Sequence, residues 1–218
     1  MSEAVVIAID GPVAAGKGTL ARRLAAHLGL AHLDSGMIYR ATAARLLDRD
    51  GDPDNEDDAA DAARKLVSAD LERGDLRAQE TSQAASRLAS HPKVRQALFD
   101  FQRRFAETPS GAVIDGRDIG TVVCPDANVK LYVTATLKAR ARRRHDELFA
   151  RGIPADLAAI SDEIAERDRR DMERPVAPLR QAEDAVLLDT SEMDAEQAFE
   201  AAVEIVRQRL NRSVNATI

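Results

Sequence analysis

The 218-residue chain is poor in the side chains that would mark several common functions. It has one cysteine, Cys124, so no internal disulfide can form, and a reducing compartment is the expectation. Its four histidines, His27, His32, His91 and His145, are scattered without metal-ligand spacing, so no protein-held metal is predicted. Tryptophan is absent and aromatic residues make up only 3%, which leaves little to stack on bases. The formal net charge of −6 has the wrong sign for a general nucleic-acid binder, although a local basic site stays open. No apolar run approaches the length of a membrane span. The N-terminal stretch has the acidic Glu3 and only six apolar residues before Asp10, which does not read as a signal peptide. The expectation is a soluble cytoplasmic protein with neither nucleic-acid nor membrane partners. For want of a large exposed apolar stripe, it is expected to be a monomer.

What is present starts with length and apolar content. Hydrophobic residues make up 44% of the chain, enough for one domain with a full core. Short apolar runs at Ala4–Ile9, Leu30–Leu33, Ala112–Ile114, Val129–Val133 and Ala185–Leu188 read as buried strands. They alternate with helical patterns, which predicts an α/β fold with five parallel strands and helices on both faces. The interval from Ser35 to Pro109 contains no convincing strand and reads as several helices. One starts near Met37. Another follows Asp52-Pro53-Asp54, with Asn55 to Asp61 as a solvated acidic face. A third covers Ala78 to Ala89. A fourth has Pro92 in its first turn and Val94, Leu98, Phe101 and Phe105 at helical spacing. A charged helix pair spans Lys138 to Glu173, with a hinge at Gly152-Ile153-Pro154. A last helix, Ala195 to Leu210, carries the stripe Phe199, Ala202, Val203, Val206 and Leu210.

Four segments carry chemistry. GPVAAGKGT (Gly11, Pro12, Val13, Ala14, Ala15, Gly16, Lys17, Gly18, Thr19) lies between the first strand and a helix with Leu20, Leu24 and Leu28 at four-residue spacing. That is the context of a phosphate-binding loop. Gly11 and Gly16 permit a tight turn, the helix N-terminus adds positive potential, and Lys17 can reach the outer phosphates of a nucleoside triphosphate. Gly18 stands where such loops usually carry the hydroxyl that ligates Mg²⁺, which argues for a small-molecule phosphotransferase.

LDSGMIYR, Leu33 to Arg40, follows strand two, where ligands gather in parallel sheets. Ser35 is read as the cap of the next helix, and Ser35, Tyr39 and Arg40 would face a ligand; a plain cap with a surface arginine is the competing reading. DGRD, Asp115 to Asp118, follows strand three. Arg117 could take a phosphate through paired hydrogen bonds, and Asp118 could accept from an amino group such as the cytosine amine. A salt-bridged loop is the alternative. In ERDRRDMER, Glu166 to Arg174, helical geometry puts Arg167, Arg170, Asp171 and Arg174 on one arc of about 100°, with Asp168, Glu166 and Glu173 pointing elsewhere. Three crowded guanidinium groups suit an anion between them; a solvated helix of ion pairs is the other reading. The basic run Lys138, Arg140, Arg142, Arg143 and Arg144 is read as a helix from which one or two arginines touch triphosphate, in preference to a nucleic-acid patch.

Taken in that order, GPVAAGKGT, LDSGMIYR, DGRDIGTVV and ERDRRDMERPVAPL resemble the bacterial cytidylate kinases over almost the whole chain. The resemblance implies transfer of the γ-phosphoryl group of ATP to CMP or dCMP, with Mg²⁺ held mainly by nucleotide phosphates and water. It implies a single three-layer P-loop domain over 1–218, with a mostly helical monophosphate-binding insertion near 35–108 and a helical lid near 150–175. Carried over by residue, Ser86, Arg95 and Asp118 match positions at the cytosine base. Ser35, Arg40, Arg117 and Arg174 match positions around the CMP phosphate. Tyr39, Arg167 and Asp171 match positions near the sugar. Lys17 and the loop glycines match the ATP phosphate site, and Lys17, Arg117, Arg170 and Arg174 are the residues expected to neutralise charge during transfer. One departure is visible. Where family members often carry a small β-sheet inside the insertion, this chain has only the link Asp70 to Arg77. Two other classes stay open on the residues alone: a kinase for AMP, UMP or a non-nucleotide acceptor, and a nucleotide-binding regulator without turnover.

Overall fold

The computed structural model describes residues 4–215; Glu3 and the other terminal residues of the predicted 1–218 domain lie outside them. Five strands form one sheet in the order β2-β3-β1-β4-β5. They are β1 (Val6–Asp10), β2 (Ala31–Asp34), β3 (Ala112–Gly116), β4 (Val129–Thr134) and β5 (Val186–Asp189). Every pairing is parallel, with Asp10 of β1 in register with Gly116 of β3 and Tyr132 of β4. All five apolar runs predicted as strands are strands, with ends shifted by one or two residues.

Alternation along the central strand divides the core into two layers. Ile7 and Ile9 point to one face and pack with Leu20 and Leu24 of helix α1 (Lys17–Leu28) and with Ala202 and Val206 of helix α8 (Ala195–Asn215). Ala8 points to the other face and joins a core shared with Ile38, Leu88, Val94 and Leu98. Those residues come from helices α2 (Ser35–Leu47), α4 (Gln79–Leu88) and α5 (Pro92–Ala106). The α/β fold with a five-stranded parallel sheet between helical layers is as the sequence predicted.

Between β2 and β3 the described residues contain helices and a short 3₁₀ turn at Ser68–Glu72, but no strand. Helix α3 (Glu56–Arg64) explains its acidic sequence. Asn55 caps it by accepting from Asp57 and Asp58 N–H groups, and acidic side chains occupy its first turn, where the helix dipole favours them. Its opposite face, Ala59, Ala60, Ala62 and Ala63, is buried. Helices α6 (Leu137–Ala150) and α7 (Leu157–Glu173) form an antiparallel pair joined by a short connection that includes Gly152 at φ 70°. No helix among the described residues is long and apolar enough to cross a membrane.

One local expectation is corrected. Helix α2 starts at Ser35, and its cap is Asp34, whose carboxylate accepts from the Met37 N–H at 3.1 Å. Asp and Ser cap about equally well, so the one-residue shift had no compositional warning. It leaves the Ser35 hydroxyl free of capping duty, in a buried position facing Gly116.

Candidate active site

The carboxyl ends of β1, β2 and β3 converge on one cavity of about 810 Å³, the place where open parallel sheets bind ligands. Its first wall is the loop from Gly11 to Gly16. Gly11 has φ 149°, and a β-carbon there would lie 1.9 Å from the Val133 carbonyl oxygen, so only glycine lets the loop leave the strand. Ala14 at φ 59° and Gly16 at φ 85° turn left-handed, which aims successive N–H groups into a shared concavity. Gly16 caps helix α1 without a side chain, so the N–H groups of the first turn stay available to an anion.

Lys17 is buried in this loop, and its Nζ donates to the Pro12 carbonyl at 2.7 Å. Burial pushes its amine down to about 7, and Arg117 adds to the shift; Asp115, Asp10 and Asp171 oppose it. A phosphate arriving here would restore the charge. Asp115 Oδ2 lies 3.7 Å from where a β-carbon of Gly18 would stand. A carboxylate from β3 thus lies beside the position where usual loops carry the hydroxyl. Among the described residues no group of three His, Cys, Asp or Glu could hold a metal by itself. This donor set fits Mg²⁺ carried on nucleotide phosphates and water, with one protein carboxylate nearby.

Two residues assigned other roles from the sequence brace the loop from outside. Asp168 Oδ1 accepts the Val13 N–H at 3.3 Å, and Arg140 donates to the Val13 carbonyl at 3.0 Å. Arg140 and Asp168 pair with each other at 2.6 Å, both buried. The expectation that Asp168 and Glu166 point away from the site is thus corrected: Asp168 holds the phosphate loop and Glu166 lines the cavity, while Glu173 does not. On a helical wheel Asp168 lies only about 60° beyond Asp171, but a charge within a charge run reads as solvated. Of the basic run, Arg140 grips the loop backbone, and Arg143 is taken up by Thr190 and Met193 oxygens. Arg144 pairs with Glu147 at the cavity wall. A second missed contact joins His32 Nε2 to Asp115 Oδ1 at 2.9 Å.

The opposite wall gathers the guanidinium groups. Asp118 is buried with one arginine on each carboxylate oxygen: Arg95 on Oδ2, and Arg174 on Oδ1 at 3.0 Å. Arg95 also donates to the Tyr39 hydroxyl at 3.2 Å. Arg117 donates to Asp171 at 2.7 Å, and Arg40 to Asp34 at 2.6 Å. Asp171 is held below the usual carboxylate range by Arg117 and Arg167, against the effect of burial. Arg167 is different. Its Nε is buried without a hydrogen-bond partner, as is that of Arg40. Burial, with Arg117, Arg40 and Arg170 nearby, lowers its guanidinium to about 10 even though Asp171 opposes the shift. Helix α7 ends at Glu173, so Arg174 reaches the site from the helix C-cap and also donates to the Ala177 carbonyl at 2.6 Å.

Helices α4 and α7 meet across the cavity mouth. Arg170 donates to Ser86 Oγ at 3.0 Å, and Gln79 and Gln83 both donate to Glu163 Oε1. Of the phosphate loop, Val13 to Thr19 line the cavity while Gly11 and Pro12 do not; Ser35, Tyr39, Arg40, Ser86, Arg95, Arg117, Asp118, Arg167, Arg170, Asp171 and Arg174 all line it, and of the basic run only Arg144 does. Eleven Lys and Arg side chains line it against seven carboxylates. The cavity is therefore positive within a chain whose formal charge is −6, the polarity that draws in an anionic ligand.

Similarity to known proteins agrees with this arrangement. A family model described as cytidylate kinase matches residues 7–208. The cytidylate kinase of Acidiphilium cryptum is 57% identical over 212 residues, covering 97% of this chain and all of that one. That of Methylocella silvestris is 55% identical over 202 residues, covering 93% of this chain and 94% of its own. Among solved structures, an uncharacterized protein from Eubacterium ventriosum shares the fold, with a TM-score of 0.55 at 14% identity over 93% of this chain and 98% of its own. The chain belongs to the cytidylate kinase family.

Proposed function

We propose that this protein transfers the γ-phosphoryl group of ATP to CMP or dCMP, giving ADP and CDP or dCDP. The observation that carries the reading is the wall of buried guanidinium groups facing Lys17, with the Nε atoms of Arg167 and Arg40 unbonded. Such a cluster is repulsive by itself and is relieved by a dianionic phosphate. One anion-binding loop and a separate cationic wall make two phosphate sites in one cavity, as a phosphotransferase needs and a mere nucleotide binder does not.

The acceptor phosphate is already an oxyanion, so it needs no strong general base. One of its oxygens bonds to the γ-phosphorus while the bond to the β–γ bridging oxygen breaks, and ADP leaves with the electron pair. Catalysis is then positioning and charge stabilisation. The Gly11–Thr19 loop and Lys17 would hold the donor phosphates. Mg²⁺ bound to them supplies further neutralisation of the charge on the transferred group. Ser35, Arg40, Arg117 and Arg174 would orient the acceptor phosphate, with Arg167, Asp171 and Tyr39 beside the sugar. Arg170 bridges from α7 to Ser86, so helix closure and acceptor binding are linked; this closure excludes water that would otherwise hydrolyse ATP. We assign the lid to about 150–175 and the acceptor-binding insertion to about 35–108 on this basis.

Base choice would rest on Asp118, Ser86 and Arg95. A carboxylate accepts from the cytosine amine and repels the O4 of uracil. The two arginines hold the Asp118 carboxylate in place. The test is ADP production from ATP and Mg²⁺ with CMP, dCMP, UMP and AMP offered separately. Strong preference for CMP and dCMP is the expected result. Preference for AMP or UMP would overturn the base assignment, and ADP production that no acceptor stimulates would overturn the reaction.

A further inference from the structure

The turn after Asp118 is built in an unusual way. Residues Ile119–Val123 form a single π-helical turn with Asp118 at its N-cap position, and such turns recur at functional sites. The Asp118 backbone carbonyl accepts from Val122 and Val123 at 2.9 and 3.1 Å, so the residue is in place to cap. An aspartate at an N-cap ordinarily turns its carboxylate back onto the first N–H groups of its own helix. Asp118 does not; both of its oxygens are taken by Arg95 and Arg174 across the cavity. The first donors of the turn, which are buried, are satisfied from elsewhere. Asp10, the last residue of β1, accepts the Ile119 N–H on Oδ1 at 2.8 Å and the Gly120 N–H on Oδ2 at 2.7 Å.

We propose that Asp10 is a positioning residue for base recognition: it caps the π turn in place of Asp118 and so frees the Asp118 carboxylate for the acceptor base. Asp10 is buried and does not line the cavity, so it acts through the turn and not on a ligand. Only a carboxylate suits the task. Two adjacent N–H donors need two acceptor oxygens, and an amide offers one oxygen and one competing N–H. With Asp10 weakened, the turn's orphan donors draw Asp118 back as their own cap and away from the base. Because Asp10 also ends the strand that launches the phosphate loop, one residue sets the position of the base-reading carboxylate relative to the donor site. The inference rests on the proposed reading of Asp118 as the residue that meets cytosine.

The experiment compares Asp10→Asn, Asp118→Asn and the double variant, using kcat and KM for CMP, UMP and ATP together with a thermal melt. The expected result for Asp10→Asn is a loss of about five- to tenfold in kcat/KM for CMP, carried by KM. Loss of the Asp10 charge beside Lys17 acts on both acceptors alike, so the loss for UMP should be smaller than that for CMP and the CMP-over-UMP preference shrinks. In the Asp118→Asn background, Asp10→Asn should add nothing to that preference, since it acts through Asp118. Gly120→Ala is the second probe should Asp10→Asn not fold. A β-carbon there meets Lys130 Cδ at 3.1 Å and Asp10 Oδ2 at 3.4 Å, which pushes the turn off the carboxylate without removing it. It should shift the preference in the same direction. Equal losses for CMP and UMP, or a lower melting temperature with the preference intact, would overturn the proposal. A preference that survives Asp118→Asn would overturn the base-reading role itself and this inference with it. A preference that falls in Asp118→Asn but not in Asp10→Asn or Gly120→Ala would overturn this inference alone.

Discussion

Lys17→Met should make the protein inactive and more stable at once. The Lys17 amine is buried and pushed from 10.5 to about 7. Its native state therefore binds fewer protons than its unfolded state, and stability rises as pH climbs from about 7 toward 10.5. Linkage between those two values puts the cost of the buried amine at about 4 kcal/mol at pH 7 and about 2 kcal/mol at pH 9. Methionine keeps the length of the stem and removes the charge, but it also forfeits the hydrogen bond to the Pro12 carbonyl, worth about 1 kcal/mol. The net gain is about 3 kcal/mol at pH 7 and about 1 kcal/mol at pH 9. For a chain of this size that is a rise in Tm of about 6–12 °C at pH 7 and about 2–4 °C at pH 9. Calorimetric melts of both proteins at the two pH values, without nucleotide, measure it. Turnover should fall by about a hundredfold or more, because nothing else in the loop places a cation on the donor phosphates. A variant that melts below the parent at pH 7, or a gap that does not narrow by pH 9, would refute the reasoning.

Three further outcomes are expected. Arg174→Ala should lower kcat by about a hundredfold or more, while Asp118 keeps Arg95 as its partner and the fold survives; a melting loss large enough to explain the whole activity loss would count against the assignment. Asp118→Asn should shrink the ratio of kcat/KM for CMP over UMP by about tenfold or more, since an amide donates as readily as it accepts; an unchanged ratio removes the base-reading role. Asp168→Asn should raise KM for ATP several-fold and leave KM for CMP alone, because Asp168 holds the Val13 N–H and its partner Arg140; steady-state kinetics in which both constants move equally would show that the bracing is not confined to the donor loop.

Much of this was legible in the sequence, for identifiable reasons. The strands of a parallel sheet are buried on both faces, so each stands out as an unbroken apolar run between polar segments. Glycine and lysine spacing announced the phosphate loop because its geometry tolerates few substitutions at Gly11 and Lys17. Residues at strand ends, such as Ser35 and Asp118, were readable because the sheet's topology dictates where ligands bind. What escaped were pairings between distant charges. Arg140 with Asp168, and His32 with Asp115, look like surface charge until the fold brings them together. The cap at Asp34 escaped for the opposite reason: two adjacent residues were equally able to serve, and composition does not choose between them.

These distant pairings also explain how the cavity survives without a ligand. A cluster of arginines around a buried lysine is costly, and several carboxylates lie against it. Asp171 restrains Arg117 and Asp34 restrains Arg40, while Asp118 joins Arg95 to Arg174. Each of these bonds orients a guanidinium while leaving other N–H donors on it for a phosphate. Among the described residues no such carboxylate is hydrogen-bonded to Arg167, and its Nε is buried and unsatisfied. It is the group with most to gain when an anion arrives. Acceptor binding should therefore order helix α7 through Arg167 first, with the Arg170–Ser86 contact following from the same movement. The order is visible in hydrogen exchange: inorganic phosphate or CMP should protect the amides of Leu157–Glu173 more than those of helix α4, and Arg167→Met should abolish that difference. Equal protection of both helices in the parent protein would show that closure is driven from the insertion and not from the helix that carries Arg167.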